Sequence, residues 1–365
     1  MKLVCFHLFN DYSGSPKVLK NVLHNLLSKG VSVELITSRG GVLDELPAVA
    51  NLKRRRYNYN FRDNAITGTL HYLWAQIYLF FVALSYLGDK DAVFYINTIL
   101  PVAPAIAGRL MGKRVIYHYH ENAMVKSRFY RVLAWIMQKI ASEIICVSEY
   151  QRSFLKRDKG VSVIPNAIEE SFIEKLQPSP EKAFERKTVL MLGSLKRYKG
   201  TLEFVELARR LPQYKFELVL NERKENIVTF WQDNSIDNTE NLVVHARHDD
   251  VSIFYNRASV VLNLSNKNLF VETFGLTALE AMAAGLPIIV PSVGGIAEMV
   301  NDGENGYKID VQDLDKIEEF LKNILSNRDL YLFLSNNGLL RSTTYSATKQ
   351  AEEILLKIKG LGSDQ

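Results

Sequence analysis

Val271 to Val300 reads VETFGLTALEAMAAGLPIIVPSVGGIAEMV. Two carboxylates, Glu272 and Glu280, stand on either side of a Phe-Gly turn, and the second falls about one turn into a short Ala-rich helix. A β-branched run follows, and then a second glycine turn, Gly294-Gly295. Turn glycines beside a helix start present backbone N–H groups that can hold a phosphate, while the flanking acids can hold hydroxyls. The stretch therefore reads as half of a nucleotide-sugar site laid on a βα unit.

Outward from that stretch, strands and amphipathic helices alternate along most of the chain. Strand patterns fall at Leu3–Leu8, Ser32–Thr37, Ala92–Tyr95, Arg114–Tyr119, Glu143–Val147 and Val161–Ile164. Helical patterns fall at Ser15–Ser28, Pro101–Met111, Lys126–Ile140 and Glu149–Arg157. A second series runs from Thr188 through the strand Ile288–Val290, with helices at Thr201–Arg210, Val251–Ala258 and Thr277–Ala284. This rhythm predicts mostly parallel sheets covered on both faces. At 365 residues the chain exceeds a single core. The expected organisation is α/β, with a doubly wound first domain over 1–168 and a polar connector over 169–186 containing Pro178 and Pro180. A second doubly wound domain over 187–344 and a last helix over 345–365, which can pack back on the first domain, complete it. Two such domains imply a cleft, and ligands bind at the carboxyl ends of the strands that line it.

Composition removes several classes. Hydrophobic content of 47% with 23% charged residues is that of an ordinary globular protein. The two cysteines, Cys5 and Cys146, lie in apolar runs without metal-ligand spacing, as thiols of a reducing compartment do. MKLVCFHLFN is interrupted early by Asp11 and Gly14 and does not read as a secretory leader, so a cytoplasmic location is expected. No GxGxxG and no GxSxG is present. Residues 1–160 carry 22 Lys or Arg against 11 Asp or Glu, whereas the remainder carries 23 against 29. No nucleic-acid-binding signature accompanies the basic half, so no nucleic-acid partner is expected. An anionic lipid surface is the other candidate, because Lys53-Arg54-Arg55-Arg56 precedes the apolar segment Leu70–Leu87 with Trp74, Tyr78, Phe80 and Phe81. That segment, interrupted by His71 and Gln76, reads first as a buried helix and second as a helix touching the inner face of a membrane.

Three further clusters carry chemistry. Leu192-Gly193-Ser194-Leu195-Lys196-Arg197-Tyr198-Lys199-Gly200 ends a strand and opens a helix, with three cations able to neutralise a departing diphosphate. Lys199 is the first candidate, helped by Lys196 or Arg197; a solvated basic turn is the plain alternative. Tyr117-His118-Tyr119-His120-Glu121-Asn122 ends a strand of the first domain. His120, nearer the strand end, is the candidate to contact a sugar hydroxyl or take the acceptor's proton, and His118 is either a second contact or a packed core histidine. No third ligand joins the two histidines, so no metal is expected. Asn10-Asp11-Tyr12-Ser13-Gly14-Ser15 joins the first strand and helix, where Gly14 allows a ligand close to the helix start and Ser15 can cap it.

These motifs resemble the retaining glycosyltransferases of family 4, which have the two-domain GT-B fold. The match runs through Glu272-Thr273-Phe274-Gly275-Leu276, then Leu279-Glu280-Ala281-Met282-Ala283-Ala284-Gly285-Leu286-Pro287. It continues through Gly294-Gly295, Glu298, Asn301-Asp302-Gly303 and Gly306. Pro165-Asn166 and the two-domain rhythm extend it over nearly the whole chain. The resemblance implies that Glu280 holds the ribose of a UDP- or GDP-sugar and Glu272 the transferred sugar. Lys199 and the Phe274–Thr277 backbone, Gly275 and Leu276 included, would face the diphosphate, with Gly14 and a histidine at 118–120 nearby. It also implies retention of configuration, no metal and no other cofactor, and a glycan acceptor, lipid-linked ones included, as in capsule or lipopolysaccharide assembly. Ser194 departs from the pattern, because many relatives carry an arginine there. A sugar phosphorylase, a nucleotide-sugar epimerase or a non-catalytic glycan-binding protein are the alternatives on a similar fold.

Overall fold

A computed structural model of the chain describes residues 1–60, 64–237 and 239–361, and for Met124 and Val125 the backbone alone. The last four residues of the expected C-terminal segment 345–365 lie outside the described residues. The chain forms two compact units, one of Met1–Ala167 joined by the chain from Ala347 onward, the other Ile168–Ser346.

The first unit is built on seven parallel strands. They are β1 (Lys2–Phe6), β2 (Ser32–Ser38), β3 (Leu52–Tyr57), β4 (Ala92–Asn97), β5 (Val115–Tyr119), β6 (Glu143–Cys146) and β7 (Val161–Val163). Their order is β3-β2-β1-β4-β5-β6-β7. Near-continuous apolar runs such as Leu3-Val4-Cys5-Phe6 are fully buried, as strands covered on both faces must be. Helices Ala65–Leu84, Val102–Leu110 and Arg128–Ile140 pack inner residues on one shared core with Phe6, Phe94 and Ile144. The C-terminal helix Ala347–Lys359 docks against helix Gly14–Ser28 of this unit, burying Ala351, Ile354 and Ile358. Lys29–Glu352 (3.0 Å) and a bond from Gln350 Nε2 to the Pro165 carbonyl (2.9 Å) anchor it.

β3 departs from the sequence reading, in which Lys53–Arg56 was only a basic run. Leu52 and Tyr57 are buried at its ends, and the cations between them occupy an edge strand, where charge discourages pairing with another chain. Arg56 pairs with Asp44 (3.0 Å), and the Arg54 guanidinium donates to the Leu46 and Pro47 carbonyls. Much of that charge is therefore used within the fold. The first reading of Leu70–Leu87, a buried helix, is also corrected. Only one stripe of Ala65–Leu84 is buried (Ala75, Gln76, Leu79, Val82, Ala83), because the sheet covers a single side of it.

The second unit repeats the plan with six parallel strands, β8 (Thr188–Gly193), β9 (Lys215–Leu220), β10 (Leu242–His245), β11 (Val260–Leu262), β12 (Ile288–Val290) and β13 (Gly306–Lys308), ordered β10-β9-β8-β11-β12-β13. Each sheet thus reverses direction once, between β1 and β4 in the first unit and between β8 and β11 in the second. The loops leaving those strand pairs part to opposite faces, which opens a crevice at the strands' carboxyl ends. The connector 169–186 is more ordered than its polar composition implied. It carries helices Glu170–Ile173 and Pro180–Arg186, with Ala183 and Phe184 buried in the second unit and Phe184 packed on Tyr331.

Candidate active site

In the second unit, the loop after β8 and the loop after β11 meet at the point where the sheet reverses. Lys199 comes from the first loop and Glu272 from the second, and their side chains form a salt bridge. Ser265, just beyond β11, donates its hydroxyl to the same Glu272 oxygen at 2.9 Å. Burial raises the Glu272 carboxyl, but the Lys199 charge and these hydrogen bonds outweigh it and hold the group below its usual range. Burial lowers the Lys199 ammonium, and Glu272 outweighs that in turn, so Lys199 stays charged. Tyr198 and Phe270 stack at 4.6 Å beside the ammonium, which lies 5.5 and 5.8 Å from their ring centres.

The backbone of Glu272 is held from the other side. Gly294 has φ near 114°, and a Cβ there would stand 2.5 Å from the Glu272 carbonyl oxygen. That oxygen accepts from Gly295 N–H at 2.9 Å. The second glycine turn therefore seats the acid rather than acting as a separate motif. Gly275, with φ near 91°, begins helix Leu276–Ala283, whose N-terminus has no side-chain cap. Glu280 sits one turn in, half-buried, and Tyr255 donates to its Oε2 at 2.6 Å. Burial, reinforced by the Glu280 charge, keeps the Tyr255 hydroxyl protonated.

The remaining candidates of this unit divide. Arg197 is paired with Glu203 at 2.7 Å, which draws it toward helix Thr201–Arg210. The Lys196 ammonium lies 6.0 Å from the Tyr198 ring centre, the ring that Lys199 also approaches. The Ser194 carbonyl accepts from Thr201 Oγ1 at 3.2 Å. The Phe274 ring is buried against Tyr345, so only the backbone of Phe274 is placed to meet a ligand, together with that of half-buried Leu276.

In the first unit the corresponding reversal gathers histidines. His7 follows β1, Asn97 ends β4 and His120 follows β5. Asn97 bridges the two rings, with Nδ2 3.0 Å from His7 Nδ1 and Oδ1 3.0 Å from His120 Nε2. An amide oxygen can only accept, so Nε2 of His120 carries the proton. His118 lies on the same side of β5, its ring 4.1 Å from that of His120. It is fully buried, with Nδ1 2.7 Å from the Tyr95 hydroxyl, the packed core histidine of the two readings. Burial, with His118 and His7 nearby, shifts the His120 pKa well below its ordinary value and keeps the ring uncharged; burial, partly offset by backbone hydrogen bonds at Phe9 and Asn97 and by Asp11, lowers His7 to about 4, and burial alone lowers His118 to about 3. Glu121 turns back to accept from Ile99 N–H at 3.1 Å. Gly14 starts the helix Gly14–Ser28, which places Ser13, not Ser15, at the cap position, and a Cβ on Gly14 would meet open space.

Ser265, Tyr255, His7 and Asn97 escaped the sequence reading. A signal was available for three of them: each is a polar residue at the end of an apolar strand or within three residues beyond it, where these sheets open to ligands. Tyr255, in the mid-chain helix Ser252–Tyr255, had none. Among the described residues no group of three His, Cys, Asp or Glu side chains is close enough to hold a metal.

Two family models match the sequence, one in each unit for most of its length. The model for glycosyl transferases group 1 matches residues 172–341, and that for glycosyltransferase family 4 matches residues 12–172. The chain is a two-domain glycosyltransferase of GT-B fold, related to these two families. It is 24% identical to an uncharacterized glycosyltransferase of Haemophilus influenzae, covering 97% of this chain and 99% of that one. It is 25% identical to the capsular polysaccharide biosynthesis glycosyltransferase CapM of Staphylococcus aureus, covering 92% and 91%. Among solved structures, Anabaena Alr3699/HepE in complex with UDP and glucose superposes over the full length of both chains with a TM-score of 0.77 at 17% identity. WaaG, a glycosyltransferase involved in lipopolysaccharide biosynthesis, superposes over 99% of this glycosyltransferase and 100% of its own chain with a TM-score of 0.71 at 15% identity. The fold expected from the sequence, two Rossmann-like α/β domains of GT-B type, is the fold observed.

Proposed function

We propose that this glycosyltransferase moves a hexose-like sugar from a UDP- or GDP-sugar to a growing surface glycan carried on a lipid. The observation that carries the reading is the Lys199–Glu272–Ser265 cluster at the β8/β11 reversal, beside the uncapped start of the helix that bears Glu280. A cation, a helix N-terminus and two carboxylates in one loop cluster suit a diphosphate flanked by a ribose and a sugar. The donor complexes of Alr3699/HepE with UDP and with UDP-glucose support the choice of donor class. CapM and WaaG, named for capsule and lipopolysaccharide synthesis, support that of acceptor.

Glu280, oriented by Tyr255, takes the ribose hydroxyls, and Glu272 the hydroxyls of the transferred sugar. Lys199 faces the diphosphate, with Lys196 as its helper and Arg197 available once released from Glu203. The Phe274–Leu276 N–H groups complete that contact. As the anomeric C–O bond to the diphosphate breaks, Lys199 and the helix start stabilise the growing charge. The acceptor oxygen bonds to the same face of the anomeric carbon, and its proton passes to the leaving diphosphate oxygen, so configuration is retained. His120, held by Asn97, hydrogen-bonds the sugar, and Gly14 leaves room beside it; His118 supports the His120 ring from behind. No metal enters this scheme, an expectation carried by the family resemblance. The enzyme works in the cytoplasm, at the inner face of the cell membrane.

A nucleotide-sugar panel read by thermal shift, followed by product analysis with the preferred donor, tests this. A UDP- or GDP-sugar should stabilise the protein and yield a glycoside of the donor's anomeric configuration. Stabilisation by neither nucleotide, or an inverted product, would overturn it.

A further inference from the structure

The outward side of the first unit carries apolar surface that no other part of the described chain covers. On helix Ala65–Leu84 the stripe Ile66, Leu70, Trp74, Ile77 and Phe81 faces away from the sheet, with Leu70 62%, Trp74 64% and Phe81 65% exposed. Helix Arg128–Ile140 does the same. It buries Leu133, Ala134 and Met137 and turns Val132 and Trp135 outward, Trp135 60% exposed. Helix Val102–Leu110 packs against both, and all three share one core on the same side of the sheet, so their outer sides form a single layer. Tyr72 and Phe129 join the long helices edge to face at 5.6 Å. Single exposed apolar residues are ordinary, but a contiguous face of this extent marks an interaction surface.

The charges on this face select the partner. Residues 64–87 contain no Asp, Glu, Lys or Arg, and residues 122–142 contain Lys126, Arg128, Arg131 and Lys139 with no acid. Arg128 and Arg131 line a shallow hollow with Val132 and Trp135, so cations and apolar groups share one surface. A second copy meeting this face across a two-fold axis would bring the same four cations into an interface to which these helices contribute no acid. An anionic bilayer satisfies both features, phosphates taking the cations and acyl chains the aromatic and aliphatic stripe.

We propose that this three-helix face docks the enzyme on an anionic lipid bilayer, helices Ala65–Leu84 and Arg128–Ile140 lying at the boundary of headgroups and acyl chains. Spanning is disfavoured, because the opposite stripe of Ala65–Leu84 belongs to the core of its own unit. The inference deepens the lipid-linked acceptor reading and rests on it: a lipid carrier presents its sugar end at the surface where this face would settle.

The chain has three tryptophans, Trp74, Trp135 and Trp231. Trp231→Phe therefore leaves both reporters on the proposed face. Added vesicles of phosphatidylglycerol with brominated acyl chains should quench and blue-shift that emission, while neutral phosphatidylcholine vesicles should do so weakly. Arg128→Ser with Arg131→Ser should lower the partition coefficient roughly tenfold or more, and 0.5 M salt should mimic that loss. Ile77→Ser with Phe81→Ser should lower it at every salt concentration. No quenching and no flotation with phosphatidylglycerol would overturn the proposal. So would equal partition into phosphatidylcholine, or a concentration-dependent dimer abolished by the same substitutions. Thermal shift with UDP or GDP and transfer to a soluble acceptor, measured on the same preparations, keep the two readings apart. Vesicle binding lost with transfer intact removes only the docking face, and vesicle binding intact without nucleotide response removes only the sugar-transfer reading.

Discussion

Lys199 and Glu272, 73 positions apart in the chain, form one salt bridge, and Ser265 adds a hydrogen bond to the same carboxylate oxygen. The pair exists because β8 and β11 are neighbours in the sheet while their helices leave to opposite sides. Lys199→Ala would leave a largely buried carboxylate with a hydroxyl and no cation. Removal of one partner from a fully buried pair costs about 3–5 kcal/mol. The Lys199 side chain keeps a quarter of its surface exposed, so a loss of about 2 kcal/mol is expected. Urea denaturation of both single variants and of Lys199→Ala with Glu272→Gln should give a coupling of about 1–3 kcal/mol. Transfer by Lys199→Ala should fall by roughly 100-fold or more. Additive stabilities in the cycle would mean that the pair does not form in solution.

Tyr255 is buried and donates its hydroxyl to Glu280, so in the proposed donor site it acts through that carboxylate. Tyr255→Phe removes one hydrogen bond to a charged group, and donor KM should rise by the equivalent of about 1 kcal/mol with kcat little changed. Glu280→Ala removes the proposed ribose contact and should weaken donor use by roughly 2–4 kcal/mol. Steady-state kinetics over a donor series would check the ranking. An equal effect of the two would place Tyr255 in direct contact with the donor.

Two glycines should respond in opposite ways. Gly294→Ala must fit a Cβ against the Glu272 carbonyl at a left-handed φ, with an expected loss of roughly 2–3 kcal/mol and of transfer with it. Gly14 has an ordinary φ and open space around it, so Gly14→Ala should leave the melting temperature unchanged or slightly raised. If a ligand approaches that backbone, the variant still loses activity. Normal transfer by Gly14→Ala would remove the loop from the site.

Acid should weaken the first unit before it breaks the Lys199–Glu272 pair. His7, His118 and His120 are buried and neutral, all below the ordinary value of 6.5. Between that value and the folded ones the unfolded chain binds more protons, so stability present at neutral pH falls as pH drops from 6.5 toward 4. His7 alone, lowered to about 4, contributes on the order of 3 kcal/mol over that window. The lowered Glu272 adds a second loss below its ordinary 4.5. Melting temperature followed from pH 7.5 to 4 should show the first decline, and His7→Gln should flatten it. A flat profile in the parent would mean that these rings are solvated.

The carboxylates, the cation and the glycine turns of the second unit were legible because they lie within two short segments, where spacing alone states what each neighbour is. The partners of those residues were not. Ser265, Tyr255 and Asn97 are ordinary polar residues until a sheet brings them beside Glu272, Glu280 and His120. Alternation along β5 correctly put His118 and His120 on one side, yet it carried no information on depth, and only packing shows His118 enclosed with Tyr95.

By itself, the order of residues determined the two parallel α/β domains and the residue types of the donor loop, since hydrophobic period and turn chemistry act locally. Which loops meet, which cations are already paired within the fold and which apolar face stays open were decided by strand order and helix packing. Arg54 and Arg56 were absorbed by the edge of the sheet, while the stripe from Ile66 to Phe81 remained exposed. A basic run and an apolar run read alike in sequence whether the fold consumes them or presents them, because burial depends on contacts made far along the chain.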